Sequence, residues 1–371
     1  MKTEKLILIV AGEPSGDLHG ARLMKSLRDQ SAVSLRFIGI GGNEMQKQGL
    51  QSLVSLSDMS VVGFWEVAKR YGFFRDVLAR CITVMDNHNI DCFVAIDYPG
   101  FNERLAKAAK KRAVPVIWYI APQLWAWGKH RAKSLSKCID RLLVVFPFER
   151  AFFEQFGIAT DFVGHPLLDD EQFSAERSIE SSTPLFALLP GSRNQEVQRN
   201  LPVMLEAAML MQKEMDLNIA IAQSPSLPVS AYKVILSNYG LEDYELWTNS
   251  RQLMFSARAG IVKTGTSTLE ACLCGMPFSM MYKTSTLSYY IGKSLVNLDF
   301  IALPNIVLGR QCVSEFVQSD ATAEQLARES MLLMRDDGLR NRQKADFETV
   351  RDLLGTSGAS ARAAKIILDV L

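Results

Sequence analysis

The run Leu188-Leu189-Pro190-Gly191-Ser192-Arg193-Asn194-Gln195-Glu196-Val197 sets a Pro-Gly-Ser turn and an arginine between an apolar stretch and a long amphipathic one. A strand that turns into a helix leaves the first helical N–H groups without intrahelical partners. It also puts the positive end of the helix dipole at the loop, and together these make an anion seat. Arg193 adds a planar cation able to grip two phosphate oxygens at once. The pattern returns at Ala259-Gly260-Ile261-Val262-Lys263 followed by Thr264-Gly265-Thr266-Ser267-Thr268-Leu269-Glu270. Two such seats in one half of a chain point to a nucleotide diphosphate.

Carboxylates follow strands in the other half. Asp97 ends an apolar run and precedes Tyr98-Pro99-Gly100, where it can take a proton from a substrate hydroxyl or simply cap a helix. Glu13 and Asp17 flank Pro14-Ser15-Gly16 after the first strand. They read as cleft-facing acids or as solvated acids of an ordinary turn; the G-x-G-x-x-G spacing of a dinucleotide site is absent. Gly39-Ile40-Gly41-Gly42 is a loop of close backbone approach. Trp125, Trp127, Lys129 and Arg131 combine indoles with cations, which suits a sugar or amphiphile with a phosphate; an aromatic core edge beside a solvated helix start is the plainer reading. His130 has no metal partner at ligand spacing, and His165 reads as a hydrogen-bonding hinge residue. Between Val61 and Ile82, Phe64, Val67, Tyr71, Phe74 and Leu78 form one helical stripe, with Trp65 and Phe73 off it among Lys69, Arg70, Arg75 and Arg80. That mixture fits a helix leaning on an anionic lipid surface, or one buried on two sides.

The elements that position these groups alternate. Strands are expected at Leu6–Val10, Leu35–Ile40, Cys92–Ile96, Val116–Ile120, Leu142–Phe146 and Asp161–Val163. They resume at Leu185–Leu189, Asn218–Ala222, Glu245–Trp247, Gly260–Lys263 and Phe278–Tyr282. Helical patterning lies between them, as at Gly16–Asp29, Asn102–Lys111 and Glu149–Phe156, and fills Ala321 to Leu371. Near-continuous Val/Ile/Leu strands separated by helices predict an α/β chain of parallel sheets covered on both faces. The polar stretch 171–184 reads as a linker between a domain at 1–170 and a second beginning at 185. Two doubly wound domains imply a cleft, with ligands at the carboxyl ends of strands. A net charge of +1 over 371 residues argues against global attraction to nucleic acid. Six scattered cysteines at no zinc spacing read as buried thiols of a cytosolic protein. No apolar run reaches bilayer-spanning length, so any membrane contact is expected to be peripheral.

Taken in order, these strings closely resemble the lipid-A-disaccharide synthases of Gram-negative bacteria. The matching segments are Ala11–Asp17, Gly63–Val67, Ile96–Asn102, Pro122–Trp127, Phe146–Glu149, Gly164–Pro166, Leu189–Arg193, Gly265–Glu270 and Leu303–Arg310. The resemblance implies the GT-B fold, two Rossmann-like domains about a cleft. It places the second at 185–341, with the helices of 342–371 packing back on the first. It implies an inverting glycosyltransferase that joins UDP-2,3-diacylglucosamine to 2,3-diacylglucosamine 1-phosphate. The products are the β-1,6-linked disaccharide 1-phosphate and UDP. No cofactor or metal is expected. The enzyme would be cytoplasmic, peripheral on the inner face of the inner membrane, with Phe64, Trp65, Tyr71, Phe73 and Phe74 toward the lipid. A homodimer with exchanged C-terminal segments belongs to the family's range, and the residues leave it open.

Within that resemblance Gly191, Ser192, Arg193, Gly265, Thr266 and Ser267 would hold the diphosphate, Glu270 the ribose, and Asn305 a further part of UDP. Asp97 is the first choice for the base that deprotonates the acceptor 6-hydroxyl, with Glu13 and Asp17 as rivals. Trp125, Trp127, Lys129 and Arg131 would face acceptor and lipid. Lys263 departs from the smaller residues of many relatives, and either contacts a phosphate or points away. Two alternatives stand beside this: another UDP-N-acetylglucosamine enzyme of the same fold (an epimerase or a lipid-intermediate glycosyltransferase), and a non-catalytic nucleotide-sugar or lipid-binding protein.

Overall fold

The computed structural model describes residues 4–59, 71–170, 173, 183–241, 244–284, 289 and 298–371. It divides into two compact units, Met1–Asp169 with Leu354–Leu371, and Asp170–Leu353. Most of the expected linker, and Phe64 and Trp65, lie outside the described residues.

In the first unit, β1 (Lys5–Ala11), β2 (Leu35–Ile40), β3 (Leu50–Ser52), β4 (Cys92–Ile96), β5 (Val116–Tyr119), β6 (Arg141–Val144) and β7 (Thr160–Phe162) form a parallel sheet in the order β3-β2-β1-β4-β5-β6-β7. All five residues of β4 and the last five of β1 are buried, as a sheet covered on both faces requires. Withdrawing each large apolar side chain there from water contributes about 1.5–3 kcal/mol. Chain order reverses between β1 and β4, and their register, Ala11 beside Ile96, brings their carboxyl ends level.

The second unit repeats the plan. β8 (Leu185–Leu189), β9 (Asn218–Ala222), β10 (Glu245–Trp247), β11 (Ala259–Lys263), β12 (Phe278–Tyr282) and β13 (Glu315–Val317) run parallel in the order β10-β9-β8-β11-β12-β13. Its reversal falls between β8 and β11, with Leu189 beside Val262. Each unit therefore has a switch point, where strands on either side lead their loops in opposite directions and leave a crevice.

Proline sets several boundaries. Pro14, Pro99 and Pro147 occupy the first turns of the helices Pro14–Gln30, Pro99–Lys110 and Pro147–Glu154, where a missing N–H costs nothing. Phe146 is the N-cap of the last of these, which is why β6 stops at Val144 rather than running on to Phe146. Of the four edge strands, three residues each, β7 and β10 match expected strands, whereas β3 and β13 were not expected from the sequence.

The second unit extends to Leu353 rather than ending near residue 341. The helix Asp337–Leu353 buries Phe347 and Val350, and Gln343 exchanges hydrogen bonds with the backbone of Phe278. The helix Ala359–Leu368 belongs to the first unit. Asp169 accepts the N–H groups of Gly358, Ala359 and Ser360 at its start, and Arg362 donates to the Val163 carbonyl.

Candidate functional site

The two switch points carry the candidate chemistry. In the first unit Asp97 follows β4 with φ 44° and Tyr98 comes next with φ 50°, two successive non-glycine residues in the left-handed region. Such residues persist only where their surroundings over-determine them. Here Asn102 supplies the restraint: its buried Nδ2 donates to the Asp97 carbonyl at 2.8 Å and stands 3.3 Å from those of Val10 and Ile96. The Tyr98 hydroxyl donates to the Met59 carbonyl, and its ring lies against Gly12, where a Cβ would stand 2.3 Å from the ring. Only glycine leaves room for that contact. The strained turn and the glycine together set Asp97 beside Glu13. Burial, then the charge of Glu13, push the Asp97 carboxyl up to about 6, against a Tyr98 backbone hydrogen bond that lowers it. A base of that kind is ionised at neutral pH and close enough to it to hold a proton.

Asp17 is engaged elsewhere. Its oxygens accept the N–H groups of Gly42, Glu44 and Met45 at 2.7, 3.1 and 3.0 Å, capping the short helix Asn43–Lys47. The close approach at Gly42 is to this carboxylate, 2.5 Å from where a Cβ would stand. Asp17 thus fixes the loop after β2, and Glu13 and Asp97 remain as the acids of the crevice.

The loop after β5 divides its aromatics. Trp125 is buried, donates its Nε1–H to Glu149 at 2.9 Å and meets Phe148 edge-on at 5.0 Å. Trp127 is 40% exposed with Arg131 over its ring at 5.3 Å, and Arg131 also pairs with Glu103 at 2.7 Å. Lys129 begins the helix Lys129–Leu135 that carries Arg131. Glu149, which the sequence reading did not single out, is completely buried and also accepts the N–H groups of Val145 and Phe146. Burial pushes its carboxyl up to about 7, against the bonds from Trp125, Phe146 and Val145. Its place three residues past an N-cap, and at the end of the matching string Phe146–Glu149, are the signals that could have found it. His165 is buried beside Phe146, and its Nδ1 accepts the Leu167 N–H. Burial, then His19, lower it to about 3, so it is neutral and structural. Of the described aromatics of the stripe expected to face lipid, Tyr71 is 57% exposed beneath Arg104, whereas Phe73 and Phe74 are half-buried against the core.

In the second unit the loops after β8 and β11 lie side by side. Gly191 and Gly265 hold φ 118° and 121°, which an L side chain rarely adopts. Arg193 is the N-cap of the helix Asn194–Gln212 and is half exposed. Glu196 reaches back so that one oxygen accepts the N–H of Ser192 at 3.1 Å and of Arg193 at 3.4 Å, while the other pairs with Lys263 at 2.9 Å. Thr266 is exposed and Ser267 half-buried at the start of the helix Thr266–Leu273, and Thr268 closes the turn by donating to the Gly265 carbonyl. Glu270 pairs with Arg251 at 3.2 Å, and Arg251 also holds Asp170 at 2.6 Å. Burial nevertheless leaves the Glu270 carboxyl raised, with Arg251 opposing. Asn305 is fully buried: it accepts from the N–H groups of Cys312 and Val313 and donates to the Val313 carbonyl and Glu315. These bonds brace the segment entering β13. Arg251 and Glu196 drew no notice in the sequence, although Glu196 has capping-box spacing from Arg193.

Among the described residues no cluster of three or more His, Cys, Asp or Glu could hold a metal, no helix is long and apolar enough to cross a membrane, and all six cysteines are free thiols.

Comparison with known proteins agrees with this architecture. The UDP-GlcNAc 2-epimerase of Neisseria meningitidis bound to UDP-GlcNAc superposes with a TM-score of 0.65 at 12% identity, over 99% of this chain and 100% of that one. The calicheamicin glycosyltransferase does so at 0.63 and 14%, over 100% and 98%. At such identities the likeness establishes the fold, that of the GT-B glycosyltransferases and their epimerase relatives. The lipid-A-disaccharide synthase of Geobacter sulfurreducens is 37% identical over 100% of this chain and 98% of its own length. That of Persephonella marina is 34% identical over 99% of each. The family described as lipid-A-disaccharide synthetase matches residues 7–368. Over virtually its whole length, then, the chain belongs to the lipid-A-disaccharide synthetase family.

Proposed function

We propose that the chain transfers the diacylglucosamine of UDP-2,3-diacylglucosamine to the 6-hydroxyl of 2,3-diacylglucosamine 1-phosphate, releasing UDP. The observation that carries the assignment of roles is the opposite lining of the two switch points, acids in one and glycine amides with cations in the other. Asp97 takes the proton of the acceptor 6-hydroxyl as that oxygen bonds to the donor's anomeric carbon from the face opposite the phosphate. The carbon–oxygen bond to UDP breaks, and the electron pair leaves on the diphosphate. Arg193 and the amides and hydroxyls of the Gly191–Ser192 and Gly265–Ser267 turns stabilise that charge, which is larger in the transition state than in the bound donor. Glu270 receives the ribose hydroxyls, held in place by Arg251. Asn305 serves the nucleotide indirectly, by fixing the backbone before β13.

Both substrates carry acyl chains, and drawing them fully into water costs about 0.8 kcal/mol per CH₂. Work at a bilayer surface avoids much of that cost. Tyr71 and Trp127, exposed and each beneath a guanidinium, support peripheral attachment through the first unit.

The test is to incubate purified protein with both acylated substrates and follow UDP and the tetra-acylated disaccharide 1-phosphate together. Stoichiometric appearance of both supports the reading. Epimerisation of an unacylated donor without disaccharide would overturn it.

A further inference from the structure

Lys263 closes β11, and its ammonium occupies a particular place. Nζ lies 2.9 Å from Glu196 and 3.6 Å from where a Cβ on Gly265 would stand. The other Glu196 oxygen holds the amides of Ser192 and Arg193. One cation therefore stands over the second glycine turn and is tied through one carboxylate to the first. The pair is partly buried, 21% and 18% exposed, so it is shielded from solvent yet reachable by a ligand. Arg193 approaches the same carboxylate at 3.5 Å. Two cations share one anion, and a positive charge is left over between the loops. An ammonium has three donors, and the bond to Glu196 uses one.

We infer that Lys263 is a direct ligand of the nucleotide's diphosphate, held over the Gly265 turn by Glu196. The inference rests on the reading of these loops as the nucleotide-sugar seat and adds a second cation to Arg193. An ammonium fixed by Glu196 beside the half-exposed Arg193 guanidinium serves two adjacent phosphates better than either alone, because each negative centre then meets its own donor set.

Calorimetric titration of wild type, Lys263→Met and Lys263→Arg with UDP and with uridine at matched salt tests this. Lys263→Met is expected to weaken UDP about 10–100-fold, the range for a charge-assisted hydrogen bond, while uridine changes less than about twofold. Lys263→Arg should recover part of the UDP affinity. UDP binding by Lys263→Met within about twofold of wild type would overturn the inference. So would equal losses for UDP and uridine, which would mean that Lys263 only keeps the loop in shape. Failure of the wild-type chain to bind UDP at all would instead overturn the nucleotide reading, and this inference with it.

Discussion

The two switch points are built on the same strand order and differ in the residues at their strand ends. After β1 and β4 stand Glu13 and Asp97; at the ends of β8 and β11 stand Arg193 and Lys263 among glycines. The first crevice raises the pKa of a carboxyl by burial and a like charge. In the second, the bonds from Lys263 and Arg193 outweigh burial and hold the Glu196 carboxyl below its usual range. The topology supplies a place where loops part, and the side chains there decide whether that place moves protons or holds anions. Strain is distributed accordingly. The acidic crevice keeps two non-glycine residues at positive φ to aim one side chain, whereas the cationic one has glycine at both turns, as the proposed diphosphate seat, with the backbone as ligand, requires.

The sharpest break of this comparison is Asp97→Asn. We expect turnover to fall about 10²–10⁴-fold with UDP affinity unchanged, since the change lies in the acidic crevice alone. Turnover at the wild-type level would remove Asp97 from the chemistry. Arg193→Ala should cost about 10²-fold in kcat/KM and weaken UDP as well, leaving acceptor binding intact. If steady-state kinetics showed acceptor KM rising while UDP affinity held, the division of labour would be wrong.

The pH dependence sharpens it further. Turnover should rise through about pH 6 as Asp97 ionises, and Glu13→Gln should move that limb to lower pH by removing the neighbouring charge. Stability runs the other way. Because the folded pKa lies above the unfolded one, the native state holds the extra proton between about pH 4 and 6, and stability declines across that window. Asp97→Asn should therefore raise the melting temperature at pH 7.5 but not at pH 4. A limb unmoved in Glu13→Gln would show that burial alone sets the value. The smallest expected effect is that of Asp17→Asn. Loss of charge from the cap of Asn43–Lys47 should cost about 1–3 kcal/mol of stability in chemical denaturation, with turnover per folded molecule preserved. A large loss of turnover in a stable Asp17→Asn would return it to the candidate bases.

Much of this was legible before folding. The turns at Gly191 and Gly265 and the helices after them were readable because backbone conformation is a local property, and the long strands because burial on both faces leaves an unbroken apolar run. The ordered strings shared with the synthases carried the substrates. Pairings across the chain were not legible. Asp17 is 25 residues from Gly42, Lys263 is 67 from Glu196, and Glu149 is 24 from Trp125. A carboxylate in the turn or first helical turn after a strand looks alike in sequence whether it caps another helix, as Asp17 does, or stands beside another acid, as Asp97 does. Local spacing decided which backbone groups would be free, since φ, turns and caps depend on neighbours in the chain. Only the tertiary structure decided which side chains would meet, because that depends on strand order and register, and with it which acid would be tied to backbone amides, as Asp17 is, and which would stand beside Glu13, as Asp97 does.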